Sequence, residues 1–146
     1  MNKVLFLDFD GVLTSYVHSR KCMMEHRQEN MYGMDWFDPA CLDALSLIVE
    51  KTGAGIVVSS SWRELGMARL TEVWKQIPVP GELIETTPVW ILTKKEAIDH
   101  WIKMHPEERY VILDDQDLKM SCQVKTDPHI GLTMEDAQAA VEMLIE

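Results

Sequence analysis

The sequence predicts an α/β fold in which a parallel sheet carries helices on both faces. Short, continuous apolar runs alternate along the chain with segments of helical periodicity. Continuous apolar runs are typical of strands that are buried on both faces. Their alternation with helices is typical of parallel sheets. The 146 residues contain no internal repeat and no linker-like stretch, so a single domain over residues 1–146 is predicted.

Three buried strands and one short edge strand are predicted. The buried strands are the apolar runs at 4–7, 56–58 and 110–113, and the edge strand lies at 122–125. Each buried run ends in small polar or acidic residues: Asp-Phe-Asp-Gly, Ser-Ser-Ser and Asp-Asp respectively. The strands therefore deliver polar groups to one edge of the predicted sheet.

Four helices are predicted from capping signals and apolar stripes. Asp38 followed by Pro39 is typical of an N-cap and a first helical residue. Thr93 and Glu96 match the capping box of a third helix. The second helix is expected over about 64–76 and the last one after Thr133.

The segment 14–36 is predicted to be an insertion that lies over the scaffold. It is polar and unusually rich in methionine and aromatic residues. At about 20 residues it is too short to build a core of its own.

The net charge, the apolar runs and the cysteine spacing limit the classes of function that the chain can have. The net charge of −10 repels polyanions, which argues against non-specific nucleic-acid binding and against docking on anionic membranes. No apolar run approaches the roughly 20 residues of a membrane span. Three widely spaced cysteines without a C-x-x-C pattern, and no signal-peptide pattern, favour a reducing cytoplasm.

The polar residues after the buried strands are expected to form one site, because ligands of parallel sheets bind outside the carboxyl ends of the strands. Carboxylates held that close repel each other unless a cation binds, and Mg²⁺ accepts carboxylate, water and phosphate oxygens. A lysine at the start of the third helix would add a positive charge. The candidate site residues are Asp8, Asp10, Ser60, Lys94, Lys95, Asp114 and Asp115.

Four segments, in this order, resemble the four motifs of the haloacid dehalogenase (HAD) superfamily. Residues 5–14, Leu-Phe-Leu-Asp-Phe-Asp-Gly-Val-Leu-Thr, are similar to its first motif, a strand running into D-x-D-G. The others are a strand ending in serine at 57–60, a lysine at 94 or 95, and the acidic pair 114–115. The resemblance implies a three-layer Rossmann-like fold in which residues 14–36 form a flap or minimal cap. A cap this short implies an open site, which suits a phosphate on a macromolecule or an exposed end.

A narrower resemblance involves the residues around these motifs. The segments 60–63, 96–101, 110–115 and 126–133 look like those of the small HAD-like domains found alone in bacteria or within multidomain RNA-repair proteins. This resemblance favours a phosphate on a nucleotide or a nucleic-acid end as the substrate, whereas the net charge of −10 mildly disfavours long nucleic acid.

The superfamily resemblance implies a Mg²⁺-dependent phosphatase. Asp8 would attack phosphorus and form an aspartyl-phosphate. Asp10 would protonate the leaving oxygen and then activate water. The Mg²⁺ ion would be held by Asp8, the backbone carbonyl of Asp10, and one residue of the pair Asp114 and Asp115.

The same resemblance assigns the phosphate oxygens to a serine hydroxyl and a lysine. Ser60 is the expected serine, although either neighbouring serine takes its place if the strand ends one residue earlier or later. Lys94 and Lys95 are both candidates, since the double lysine leaves the register open.

Two other classes of function remain open at this stage. The first is a catalytically quiet module of the same fold, which binds a metal or a phosphate and acts through a protein partner. The second is a receiver-type phosphoacceptor, which also combines acids, a hydroxyl and a lysine at strand ends. Its order of motifs differs, since here the acidic pair comes late in the chain.

Overall fold

The computed structural model describes residues 2–25 and 36–145 and confirms the α/β fold. Five strands form one parallel sheet with the order β3-β2-β1-β4-β5. The strands are β1 (Lys3–Leu7), β2 (Gly55–Val58), β3 (Leu83–Thr86), β4 (Arg109–Asp114) and β5 (Gln123–Lys125).

Helices connect the strands. They are α1 (Tyr16–Met24), α2 (Pro39–Thr52), α3 (Met67–Trp74), α4 (Lys94–Met104) and α5 (Met134–Ile145), with a 3₁₀ helix at Ser61–Leu65. The predicted caps of α2 and α4 are present. The Asp38 carboxylate accepts a hydrogen bond from the amide of Ala40, and the Thr93 hydroxyl accepts one from the amide of Glu96.

The sheet separates a large core from a small one. Alternate residues of β1 point to opposite faces, so that Leu5 and Leu7 join the large core while Phe6 joins the small one. Helices α2, α3 and α5 cover the large core, and α4 covers the small core with Ile98 and Trp101. Burial on both faces explains why the central strands are continuously apolar.

Two of the predicted elements require correction. The helix expected over about 64–76 is a 3₁₀ helix, Ser61–Leu65, followed by the separate helix Met67–Trp74. Gly66 lies between them at φ +84°, a left-handed conformation that interrupts a helix and favours glycine. The strand Leu83–Thr86 was not predicted, because a four-residue edge strand beside Pro80 and Gly81 has too little apolar pattern to identify it.

The predicted insertion contains a helix in its first half. Helix α1 begins after Ser15, whose hydroxyl accepts a hydrogen bond from the amide of His18. Residues 26–35, with Met31, Tyr32 and Met34, lie outside the described residues, so the role of 14–36 as a cap stays a prediction. Among the helices that the structure describes, none is long and apolar enough to cross a bilayer.

Candidate active site at the carboxyl edge of the sheet

Three neighbouring strands end at the same level and deliver polar residues to one face of the sheet. Leu7 of β1 is paired with Val58 of β2 and with Leu113 of β4. The residues that follow in register are Asp8, Ser59 and Asp114. The alternation of strand residues directs their side chains to the face that α4 covers.

The carboxylates of Asp8, Asp114 and Asp115 form a compact cluster. Ligand oxygens from all three lie within 4.8 Å of one another. Asp8 and Asp114 are buried, at 5% and 0% exposure, while Asp115 is partly buried. Buried carboxylates at this spacing fit a hard divalent cation such as Mg²⁺, which binds oxygen ligands and offsets their mutual repulsion.

Lys94, the first residue of α4, reaches into this cluster. Its Nζ lies 2.9 Å from Oδ2 of Asp114 and 3.4 Å from Oδ2 of Asp8. Lys95 is exposed, so Lys94 is the lysine that the structure brings to the acids. One ammonium between three carboxylates leaves the cluster net negative, which preserves its capacity for a cation.

Burial and repulsion shift the acidity of the cluster. Burial and, to a lesser extent, repulsion from Asp114 raise the pKa of the Asp8 carboxyl from 3.8 to about 8, against the opposing effect of Lys94. Burial, followed by repulsion from Asp114, also raises the pKa of Asp115. The Lys94 ammonium loses hydration on burial, but the neighbouring carboxylates outweigh this cost and raise its pKa. A bound cation would favour the ionised form of Asp8.

Asp10 lies next to the carboxylate cluster but is not part of it. Its carboxylate is exposed and accepts a hydrogen bond from the indole Nε1 of Trp62 at 3.2 Å. The structure therefore separates Asp10 from the three carboxylates that can hold a metal, and places it at the mouth of the site, where solvent and a leaving group have access.

The turn that carries Asp10 requires glycine at position 11. Gly11 has φ +84°, and a Cβ atom there would lie 2.4 Å from Oδ2 of Asp115. Its amide donates to the Thr14 hydroxyl, and its carbonyl accepts from the Thr126 hydroxyl at 2.7 Å. The D-x-D-G pattern thus lets the first loop pack directly against the acidic pair after β4.

The serines after β2 have different environments. The hydroxyl of Ser60, the residue predicted to contact phosphate, accepts a hydrogen bond from the Trp62 amide and caps the 3₁₀ helix. The hydroxyl of Ser59 is buried and has no hydrogen-bond partner among the described residues. Ser59 follows β2 on the face of Asp8, which favours Ser59 over Ser60 as the hydroxyl nearer the acids, while the exposed Ser61 lines the cavity that contains Asp8.

Arg63 also lines the site, although the sequence did not favour it as a phosphate contact. Its side chain is 8% exposed and lines the cavity above Asp8 and Lys94. The guanidinium donates to the carbonyl of Ser59 at 3.1 Å and to that of Ile91 at 3.2 Å. Arg63 thereby ties the end of β2 to the loop that precedes α4, and so fixes Ser59 relative to Lys94.

Comparison with known families gives one match that covers most of the chain. The model described as "HAD domain in Swiss Army Knife RNA repair proteins" matches residues 4–137. The chain belongs to this family. The match spans every strand but the first residue of β1, together with the whole carboxylate cluster and Lys94. No curated protein and no solved structure matches the chain significantly.

Membership of the HAD family supports a hydrolase of the phosphatase kind. Proteins of this family typically bind Mg²⁺, and the donor set of Asp8, Asp114 and Asp115 fits that ion. The resemblance seen in the four motifs and in the RNA-repair segments is thus confirmed at the level of family and fold.

Proposed function

We propose that the protein is a Mg²⁺-dependent phosphomonoesterase that acts through an aspartyl-phosphate at Asp8. The observation that carries this proposal is the arrangement around Asp8. Its buried carboxylate lies at the base of a cavity of about 400 Å³, with Lys94 at 3.4 Å and two further carboxylates within 4.8 Å. A nucleophile, a countercharge and a cation-binding cluster share one small space.

Asp8 and Asp10 divide the chemistry between them. A carboxylate oxygen of Asp8 forms a bond to phosphorus while the bond from phosphorus to the leaving oxygen breaks. Asp10, exposed at the mouth, donates its proton to that oxygen. The ionised Asp10 then takes a proton from water, whose oxygen attacks phosphorus and releases phosphate, and Asp8 is regenerated.

The surrounding residues hold the phosphoryl group and neutralise its charge. Lys94 offers an ammonium that already bridges Asp8 and Asp114. Ser59 offers a hydroxyl with no competing hydrogen bond among the described residues. Asp8, Asp114 and Asp115 would hold the Mg²⁺ ion, which would supply charge stabilisation to the transferring group. Cations and hydroxyl groups fixed in place need little reorganisation during the reaction.

Phosphates on nucleotides or on nucleic-acid ends are the proposed substrates. The family description refers to RNA repair proteins, which supports this class. The net charge of −10 repels long polyanions and favours small substrates or chain ends. A cytoplasmic location is part of the proposal, since the cysteine pattern suits a reducing compartment.

Hydrolysis of an aryl phosphate, measured with Mg²⁺ and with a chelator, tests the proposal. We expect Mg²⁺-dependent turnover in the wild type and a loss of roughly 1,000-fold or more in Asp8→Asn, because an amide is a very poor nucleophile toward phosphorus. Asp43→Asn, an exposed carboxylate of α2, is the matched control and should retain activity.

Two results would contradict the proposal. Activity in Asp8→Asn comparable to that of the wild type would exclude Asp8 as the nucleophile. Absence of turnover on aryl phosphate, nucleotides and oligonucleotide ends, with Mg²⁺ still bound, would instead favour the catalytically quiet module.

A further inference from the structure

A second cavity opens beside the carboxylate cluster and adjoins the first. Its volume is about 550 Å³, and it shares Asp10, Ser61, Glu64 and Asp115 with the cavity that contains Asp8. Cavities of about 300–1,000 Å³ are typical of sites for whole small molecules. The space beyond Asp10 is therefore much larger than a phosphate needs, and it lies where a leaving group would extend.

Aromatic side chains line this second cavity. Tyr16, Trp36 and Trp62 contribute to its wall. Trp62 is held in place, since its ring meets that of Phe9 edge-on at 5.0 Å and its indole nitrogen donates to Asp10. Tyr16 is 63% exposed at the first turn of α1, and Trp36 is partly buried. Exposed or partly buried aromatic faces beside a reaction centre suit a planar aromatic ligand.

Within residues 2–25 and 36–145, the charged side chains that line the second cavity are all acidic. Asp10, Glu64 and Asp115 line it, and no lysine or arginine does so within residues 2–25 and 36–145. The first cavity is also lined by acids, but Lys94 and Arg63 add two cations to its wall. The first cavity therefore suits the anionic part of a substrate, and the second cavity suits a part that carries no negative charge.

We propose that the second cavity binds the nucleobase of a nucleoside monophosphate, and that it selects against a leaving group with a second phosphate. This inference rests on the proposed function, because it places the substrate phosphate at Asp8. The aromatic wall stacks on the base, while Ser19, Ser61 and the carboxylates provide hydrogen-bond partners for its edge and for the ribose. A second phosphate would meet Glu64 and Asp10.

Kinetic comparison of matched substrates tests the inference. We would measure kcat/KM for adenosine 5′- and 3′-monophosphate, for ribose 5-phosphate, which lacks the base, and for adenosine 3′,5′-bisphosphate. The better adenosine monophosphate should exceed ribose 5-phosphate by about tenfold or more, as expected for stacking of one base on aromatic side chains. The bisphosphate should be a poorer substrate than that monophosphate.

Substitutions in the wall of the second cavity test which residues contact the base. Tyr16→Leu and Trp36→Leu should each reduce the ratio of kcat/KM between adenosine monophosphate and ribose 5-phosphate. Trp90→Leu is the matched control, because Trp90 is 71% exposed and lies outside the second cavity, so the ratio should not change. Glu64→Gln removes one negative charge and should improve the bisphosphate relative to the monophosphate.

Adenosine binding, followed by quenching of tryptophan fluorescence, separates this inference from the proposed function. Binding that Tyr16→Leu weakens, without hydrolysis of any phosphomonoester, would contradict the proposed function and support the base site. Turnover of ribose 5-phosphate equal to that of adenosine monophosphate, or ratios unchanged in Tyr16→Leu and Trp36→Leu, would overturn the base site alone.

Discussion

At the scale of single residues, two adjacent serines have separable tasks. Ser60 caps the 3₁₀ helix through its hydroxyl, whereas the hydroxyl of Ser59 has no partner in the part of the chain that the structure describes. Removal of an unpartnered hydroxyl costs little stability, and removal of a cap costs about 0.5–2 kcal/mol.

We therefore expect opposite profiles for the two alanine variants. Ser59→Ala should lower kcat/KM by roughly 10- to 100-fold with a nearly unchanged free energy of unfolding. Ser60→Ala should lower the free energy of unfolding by about 1 kcal/mol, with a smaller effect on kcat/KM. Urea unfolding and steady-state kinetics on both variants measure these effects. A larger loss of kcat/KM in Ser60→Ala than in Ser59→Ala would show that Ser60, and not Ser59, contacts the phosphate.

The ionisation of Asp8 predicts a pH dependence of stability in the absence of metal. Burial raises its pKa from 3.8 to about 8 in the folded protein, so the folded state binds a proton that the unfolded chain has released. The contribution of neutral Asp8 is complete below about pH 4 and is lost as the pH rises through about 8.

Comparison with Asp8→Asn isolates this effect, because asparagine does not titrate. With a chelator present, the free energy of unfolding of the wild type should fall relative to that of Asp8→Asn between about pH 5 and pH 8. Urea unfolding of both proteins across this range is the measurement. If the wild type instead gains stability relative to Asp8→Asn over this range, the effect of Lys94 on the pKa of Asp8 outweighs that of burial.

At the scale of elements, the contact between the first loop and the acidic pair after β4 depends on Gly11. Gly11 and Gly53 both have left-handed φ angles, +84° and +68°. A Cβ at position 11 would collide with Asp115, whereas a Cβ at position 53 has no heavy atom within 4 Å. A substitution at either position therefore strains the backbone, but only a substitution at position 11 also collides with a neighbouring side chain.

Gly53→Ala is thus the matched control for Gly11→Ala. Each should lose about 1 kcal/mol of unfolding free energy through backbone strain. Gly11→Ala should in addition weaken Mg²⁺ binding, because Asp115 must move away from the cluster. Isothermal titration with Mg²⁺ distinguishes them, and equal Mg²⁺ affinity in the two variants would contradict the role of Gly11.

The strand ends were predictable, but which residues of each polar run enter the site was not. Apolar runs located β1, β2 and β4, and therefore the level at which Asp8 and Asp114 emerge. Ser59 and Ser60 differ only in which face of the sheet they occupy, and this depends on the exact end of β2. The same limit applies to Lys94 and Lys95, because one residue of register decides which of them meets the acids.

Contacts made by distant segments could not be predicted from local pattern. The hydrogen bond of Arg63 to the carbonyl of Ile91 spans 28 residues, and no periodicity in the sequence indicates it. The bond between Trp62 and Asp10 spans 52 residues. The short β3 was missed for a related reason, since its pairing with β2 stabilises it more than its own sequence does.

At the scale of the whole molecule, the two faces of the sheet have different roles. The larger core under α2, α3 and α5 stabilises the scaffold, while the face covered by α4 ends in Asp8, Ser59 and Asp114. The chain as a whole carries a net charge of −10, so Lys94 and a bound Mg²⁺ would have to provide the local attraction for a phosphate. The account as a whole requires a covalent intermediate at Asp8.

A pre-steady-state burst in Asp10→Asn tests that intermediate most directly. An aryl oxide leaves without protonation, so the first step should proceed in this variant, while hydrolysis of the aspartyl-phosphate slows because no base activates water. We predict a burst of one aryl oxide per protein molecule, followed by slow turnover. Borohydride reduction during the burst should convert Asp8 to homoserine. A stoichiometric burst that leaves Asp8 unmodified, or that produces the reduced residue at another position, would contradict the account.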